Sequence, residues 1–291
     1  MREAEKRPRP DPLPHAGEGA LTSDALLNGR LHLRQPLRGH RVGSDAILLA
    51  AASPVAAGDH VVDIGAGVGA VGLALMQRCE SAQALLVDID PALAALASAN
   101  VAANNLAARA QVAALDFLSA QERRNAGLIA GAADLVVTNP PFFEPGGVRA
   151  SPDAARARAH VLARTKDGVA PLHGWIVTAL ALLAPGGCFV MIHRPDALGA
   201  ILAACAGRLG ALALLPIHPR ADQPAHRLII GGIKGARGPL RLLPPLALHE
   251  ASGAFTPLAE AIHRGDALID LGLPRRRGAS RPRVDRAASP D

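Results

Sequence analysis

No tyrosine occurs in this chain, tryptophan occurs once and phenylalanine five times. That scarcity excludes a nucleic-acid surface built from many stacking platforms, so any base stacking must rest on very few side chains. Cysteine is equally sparse. Cys79, Cys188 and Cys205 form no CxxC pair and are odd in number, which argues against a disulfide framework or a zinc site and casts all three as buried, reduced thiols. No HExxH or HxxxH spacing joins His193, His218 and His226, so no metal is expected. Long apolar runs are missing too, although mean hydropathy is +0.20. The stretch from Ala197 to Ile217 is broken by Arg208 and by Gly199, Gly207 and Gly210, and the run from Trp175 stops at Pro185, short of the ~20 residues a bilayer needs. Met1 to Pro8 contains no apolar segment, so nothing there directs export, and a cytoplasmic chain without a membrane partner is expected.

Basic charge is what the chain has in excess: 31 Lys and Arg stand against 25 Asp and Glu, a formal net charge of +6. With a pI near 10.2, an anionic partner is favoured, nucleic acid first. Hydrophobic residues make up 49% of the 291 and charged residues 19%, enough for one sizeable core. Residues 1–30 carry Pro8, Pro10, Pro12 and Pro14 with no apolar period and read as a flexible tail. A second, basic tail is expected over 271–291, with Arg275, Arg276, Arg277, Arg281, Arg283 and Arg286.

Between the tails, strands and helices alternate. Leu31 to Gly43 turns like a small hairpin, and Ser44 and Asp45 are placed to cap a helix through Ile47, Leu48 and Leu49. Strands are predicted at Val61–Ile64, Leu85–Asp88, Val112–Leu115, Leu135–Val137 and Cys188–Ile192, with helices from Ala70, Pro91, Leu172 and Asp196. Such alternation marks a parallel sheet covered on both faces. The last two strands, Ala211–Ile217 and Arg227–Ile233, are separated by too little chain for a crossover helix and should pair antiparallel.

The most informative stretch is Asp134-Leu-Val-Val-Thr-Asn-Pro-Pro-Phe-Phe143. Its apolar run suits a strand buried on both faces, and Pro140 and Pro141 force the chain out at the carboxyl end, the edge where open α/β sheets bind ligands. There the Asn139 side-chain oxygen and the Pro140 carbonyl are two neutral acceptors on a stiff loop. Together they can take both hydrogens of a planar NH2 group, such as adenine N6, and return its lone pair to nitrogen. Phe142 offers a flat face for the base. The four residues taken alone are equally readable as a strand followed by a proline turn, with Asn139 a turn residue.

Gly65-Ala-Gly-Val-Gly69, after a strand and before a helix, lets backbone pass close to a ligand. Asp63 within the strand repels phosphate, so a cationic, amino-acid-bearing cofactor fits better than a dinucleotide, and S-adenosylmethionine is the candidate. Asp63 would then order the loop or meet the cofactor's amino group. Asp88, about twenty residues on, would accept the ribose hydroxyls, with Ile89 against the adenine, Asp116 accepting from the adenine amine and Phe117 alongside. Each aspartate singly is readable as a cap or solvated strand end; successive strands ending in such groups along one edge carry the inference. Glu144 to Ala170 is long for a connection and basic. Its Arg149, Arg156, Arg158, Arg164 and Lys166 are candidate RNA contacts, and a solvated helix face is their other reading.

Together, Asp63 to Gly69, Val87-Asp-Ile-Asp90, Asp116-Phe117 and Asn139-Pro-Pro-Phe142 resemble the class I S-adenosylmethionine methyltransferases that act on amino groups. Within that class the chain is similar to the bacterial valine-tRNA (adenine(37)-N6)-methyltransferases, through Arg41-Val-Gly-Ser-Asp45, Asn139 to Gly146, His226-Arg227 and Leu248 to Thr256. The resemblance covers about residues 31–265. It implies a Rossmann-like, doubly wound, mostly parallel seven-stranded sheet with an antiparallel last strand, a methyltransferase domain over 31–270, S-adenosylmethionine as cofactor and tRNA as partner. It also implies Asn139, Pro140 and Phe142 as the catalytic group, Asn139 close to the cofactor as well, and Arg41, Gly43, Gly65 and Gly67 beside the cofactor. The Asn-Pro-Pro-Phe form is shared with guanine-N2 ribosomal RNA methyltransferases, and release-factor glutamine methyltransferases carry Asn-Pro-Pro-aromatic. Only some 30 tail-like residues precede the fold, which disfavours a protein substrate. A non-catalytic RNA-binding module is the remaining alternative.

Overall fold

The β-branched runs form the middle of one mixed sheet in the computed structural model, which describes residues 21–37, 41–140 and 171–274. β3 (His60–Ile64), β4 (Gln83–Asp88), β5 (Ala110–Ala114), β6 (Ala133–Thr138) and β7 (Leu183–His193) are parallel and lie in the spatial order β5-β4-β3-β6-β7. The chain thus winds outward to one side of β3 and then to the other, so the reversal falls between β3 and β6. That is where an open sheet leaves a crevice.

Beyond β7, β9 (Arg227–Lys234) pairs antiparallel with both β7 and β8 (Leu209–Arg220). The expected seven strands and their antiparallel last member are therefore present. Two more strands, β10 (Arg241–Leu242) and β11 (Leu246–His249), lie parallel to β8 and bring the sheet to nine. They are too short to show an alternating apolar pattern.

Alternate residues of each strand face opposite layers. Val61, Leu135 and Val137 pack with α1 (Ser44–Ala52), α2 (Ala70–Arg78), α3 (Pro91–Ala103) and the C-terminal Ile262. Val62, Ile64 and Val136 pack with α5 (Pro171–Leu182) and α6 (Leu198–Cys205), while α4 (Ala120–Asn125) and α7 (Pro257–His263) are short. Burying side chains such as Leu73, Leu135 and Ile176, each 0% exposed, stabilises the fold by ~1.5–3 kcal/mol apiece.

Both expected domain boundaries shift. β1 (Leu21–Leu26) pairs antiparallel with β2 (Leu31–Pro36), so the hairpin spans 21–36 rather than 31–43 and residues 21–30 belong to the fold. The turn between the strands uses left-handed backbone at Leu27, Asn28 and Gly29. β2 is then pinned to α3 by two carboxamides one helical turn apart. Asn100 and Asn104 accept from the N–H groups of Arg34 and His32 at 2.7 and 3.0 Å, and donate to the carbonyls of the same two residues at 3.0 and 2.7 Å. At the other end, Leu271 is only 3% exposed and lies over Gly231, so the core extends past residue 270. Residues 1–20 and 275–291 lie outside the described residues.

The start of α1 also differs from expectation. Gly43 is its N-cap and no side chain caps it. Ser44 Oγ instead lies 2.9 Å from His263 Nε2, and Asp45 accepts from Arg227 Nε at 2.7 Å. Among the described residues no helix is long and apolar enough to cross a membrane.

Candidate active site

Register places the two halves of the cleft side by side. Ile64 of β3 lies opposite Thr138 of β6, so Gly65 and Asn139, the next residue of each strand, leave the sheet together at its carboxyl edge. The Thr138 hydroxyl donates to the Ile64 carbonyl at 2.8 Å and accepts the Trp175 indole N–H at 3.1 Å. Asn139 is half-buried, between core and solvent, and Pro140 is buried. Phe142, Arg149, Arg156, Arg158, Arg164 and Lys166 lie outside the described residues.

The glycine turn is fastened to β4. The N–H groups of Gly65 and Ala66 both donate to the Val87 carbonyl, at 2.8 and 2.9 Å, and that of Gly67 donates to Asp88 Oδ2 at 2.7 Å. Gly65, Gly67 and Gly69 have φ of +73, +57 and +91°, which L side chains adopt only with strain. A Cβ on Gly69 would stand 2.8 Å from Leu86 Cδ2, whereas one on Gly67 would enter open space. Gly69 therefore serves close packing, whereas Gly67 borders open space.

Asp63 is 1% exposed and accepts the Gly72 N–H at 2.8 Å. Of the two roles read for it, ordering the turn is the one this burial provides, since no face of the carboxylate reaches the cleft. Burial pushes its pKa up to about 7, the Gly72 hydrogen bond opposing and the nearby Asp88 carboxylate adding to the shift. Asp88 is half-buried and raised as well, chiefly by burial. Its Oδ1 accepts the Asp90 N–H at 2.9 Å, and a carboxylate with about four acceptor sites keeps room for a further donor. Ile89 is half-buried beside it. Asp88 sets a half-buried carboxylate, with Asp90 as its charged neighbour, beside the glycine turn, and an anion there favours a cation, so the residues present suit a positively charged nucleoside cofactor.

Asp116 is half-buried; its Oδ1 accepts from Leu118 N–H at 2.8 Å, and its own N–H donates to Glu122 at 2.7 Å. Phe117 departs from expectation. Its ring is 3% exposed and packs edge-on against Trp175 with centroids 5.2 Å apart, so it belongs to the core and offers no face to an adenine. Asp116 and Phe117 lie in the turn that follows β5, and of the two only Asp116 keeps solvent exposure. Arg41 is exposed and pairs with Asp24 of β1 at 3.0 Å, an anchor to the hairpin. Gln35 supports it, accepting from Val42 N–H at 2.8 Å and donating to Asp24 at 2.5 Å. Hydrogen bonds from Gln35 and Thr22 come first in holding the Asp24 carboxyl below its usual range. Gly43 is exposed at the head of α1.

Sequence reasoning missed three residues of this edge. Thr138 and Trp175 read as ordinary packing positions and gave no signal. Asn100, fully buried, donates to the Val68 carbonyl of the glycine turn at 2.9 Å; an Asn pair four apart in an Ala-rich helix was the available clue. Among the described residues no group of three or more His, Cys, Asp or Glu could hold a metal.

Comparison with known proteins bears on the same elements. Residues 40–157 match the family model of the methyltransferase small domain. The chain is 35% identical over 194 residues to the tRNA1(Val) (adenine(37)-N6)-methyltransferase of Serratia proteamaculans, covering 65% of this chain and 69% of that one. A protein of the same name from Porphyromonas gingivalis is 37% identical over 163 residues, covering 54% and 60%. Another, from Bacteroides fragilis, is 29% identical over 226 residues, covering 77% and 90%. Among solved structures, a protein of Agrobacterium tumefaciens described as a predicted O-methyltransferase superposes with a TM-score of 0.63 at 32% identity, covering 78% of this chain and 98% of that one. A 16S rRNA N2 methyltransferase of T. thermophilus, solved with S-adenosylmethionine and guanosine, shares the fold at a TM-score of 0.50 and 22% identity, covering 76% and 52%.

Proposed function

The chain belongs to the tRNA1(Val) (adenine(37)-N6)-methyltransferase family, and from that premise we propose that it methylates N6 of the adenine at position 37 of a tRNA, beside the anticodon. It is an S-adenosylmethionine-dependent methyltransferase; the target and the roles of individual residues are the proposal. A cytoplasmic location goes with such a substrate.

The observation that carries the reading is the β3–β6 register, Ile64 opposite Thr138, which sets Asn139 next to the glycine turn. S-adenosylmethionine, when bound, supplies a sulfonium-activated methyl group. Gly65 and Gly67 hold the backbone open for it, Asp88 accepts its ribose hydroxyls, and Ile89 and Asp116 flank its adenine. Asn139 Oδ1 and the Pro140 carbonyl accept the two hydrogens of the target amine and aim its lone pair, while Phe142 stacks on the extruded base. Orientation supplies much of the acceleration. No strong base is needed, because the methylated amine is acidic until it loses its proton.

Arg149, Arg156, Arg158, Arg164 and Lys166 contact the phosphates. Replacing two of these cations by Ala should weaken RNA binding uniformly across sequences, and each lost contact should lower the salt slope by about 1. Incubation with labelled S-adenosylmethionine and total tRNA, followed by nucleoside analysis, tests the reading. N6-methyladenosine is expected; N2-methylguanosine would reassign the target base, and no transfer would leave a binding module.

A further inference from the structure

β3 and β6 are joined at their carboxyl ends by more than the sheet ladder. The Thr138 side chain, 0% exposed, uses its proton on the Ile64 carbonyl at 2.8 Å and its oxygen on the Trp175 indole N–H at 3.1 Å. Ile64 is the residue before the glycine turn, and Thr138 is the residue before Asn139. Trp175, 7% exposed, also lies under the turn itself: a Cβ on Gly65 would stand 3.4 Å from its ring. On its other side it meets Phe117, the residue after Asp116, with ring centroids 5.2 Å apart. One side chain of α5 thus touches the start of the donor turn and the turn that follows β5, and reaches the residue before the acceptor amide through one hydroxyl.

None of these three groups is positioned to bind a ligand, since the hydroxyl is fully enclosed and the indole nearly so. What they have in common is the spacing between Gly65 and Asn139. Methyl transfer depends on that spacing steeply, because reacting atoms must approach to ~3–3.5 Å in line and a 1 Å misplacement can cost ~100-fold. Backbone pairing between the two strands ends at Ile64 and Thr138; beyond it the glycine turn is held to β4 through the Val87 carbonyl, and among the described residues the Thr138 and Trp175 side chains link its root to the residue before Asn139.

We propose that Trp175, Thr138 and the Ile64 carbonyl form a positioning relay that fixes the separation of the methyl-donor turn from Asn139, and so acts on alignment rather than on the affinity for either ligand. The proposal rests on the function inferred above. Thr138→Val keeps the branched shape and removes the hydroxyl; Thr138→Ser keeps the hydroxyl and removes a methyl. Because Trp175 is the only tryptophan and tyrosine is absent, its fluorescence reports cofactor binding at this spot in both variants.

The test compares wild type, Thr138→Val and Thr138→Ser as full chains, measuring S-adenosylmethionine affinity, KM for tRNA and kcat. The relay predicts that Thr138→Val binds cofactor within about 3-fold of wild type while kcat falls by ~10–100-fold. Thr138→Ser should retain kcat to within about 3-fold, because the hydroxyl that orients the loops is still present. Unchanged kcat in Thr138→Val, an equal loss in Thr138→Ser, or a kcat loss matched by lost cofactor affinity would overturn it. Should Thr138→Val not fold, Trp175→Phe, which keeps a ring against Gly65 and lacks the N–H, decides by the same kcat comparison, with cofactor binding read by equilibrium dialysis. Wild-type protein is the control: if it transfers nothing to tRNA the substrate reading fails, whereas normal wild-type transfer beside an unimpaired variant sinks the relay alone.

Discussion

The donor side and the acceptor side of the cleft are built from different materials. The donor side is organised by backbone: three glycines with positive φ, two N–H groups on the Val87 carbonyl, and two carboxylates that accept from the amides of Gly67 in the turn and Gly72 in α2. On the acceptor side, the proposal assigns the chemistry to one carboxamide oxygen and one peptide oxygen at the end of β6. A surface made of many backbone groups tolerates the loss of one contact by degrees. A pair of acceptors does not. Side-chain substitutions should therefore grade cofactor affinity on one side and switch turnover on the other.

The largest effect is expected at the switch. Asn139→Ala should lower kcat on the order of 10²–10³-fold, the scale for removing one preorganised polar group, with S-adenosylmethionine affinity within a few-fold of wild type; single-turnover transfer and a binding titration check both. Next comes Asp88→Ala, which removes the acceptor for Gly67 N–H and for the ribose. Hydrogen bonds to charged groups contribute ~1.5–3 kcal/mol, so cofactor affinity should fall by roughly 10–100-fold while kcat at saturation stays near wild type. Gly67→Ala places a Cβ in the ligand's path at φ +57°. It should cost about 1–2 kcal/mol in thermal stability through the left-handed backbone and weaken cofactor binding in the same titration.

The smallest effect is a pH dependence. Asp63 titrates near 7 in the fold against a usual 3.8, so between those values the native state keeps a proton that the unfolded chain has lost. Its contribution to stability is complete below about 3.8 and is lost as pH rises through about 7. Asp63→Asn, with no such proton, should gain stability relative to wild type as pH rises across that window. Denaturant midpoints at several pH values measure it, and a difference that stays constant with pH would contradict the burial of an ionisable carboxyl there.

The same contrast between backbone and side chain governs what was legible in the sequence. Val61, Val136 and their neighbours announced parallel strands by continuous apolar runs, whereas the reversal between β3 and β6 is a matter of strand pairing that the order of elements along the chain does not encode. Glycines and strand-end aspartates were visible because backbone-built sites constrain residue type at each position. β1 was hidden because its half-buried face carries Thr22 and Asp24 while Leu21 and Ala25 face outward, and because its hold on the fold passes through β2 to Asn100 and Asn104, far away in sequence. Phe117 was misread because adjacency to Asp116 suggested a shared destination, while the turn after β5 sends its ring into the core against Trp175. Thr138 and Trp175 act through tertiary contacts that no local pattern encodes.

The central claim is that Asn139 Oδ1 and the Pro140 carbonyl jointly receive the target amine beside the glycine turn. The most direct measurement is a structure of the protein with S-adenosylhomocysteine and an adenosine-containing anticodon fragment. The account predicts adenine N6 within about 2.7–3.2 Å of both oxygens, on the side facing Gly65. An adenine seated elsewhere, or N6 bonded to neither oxygen, would contradict it.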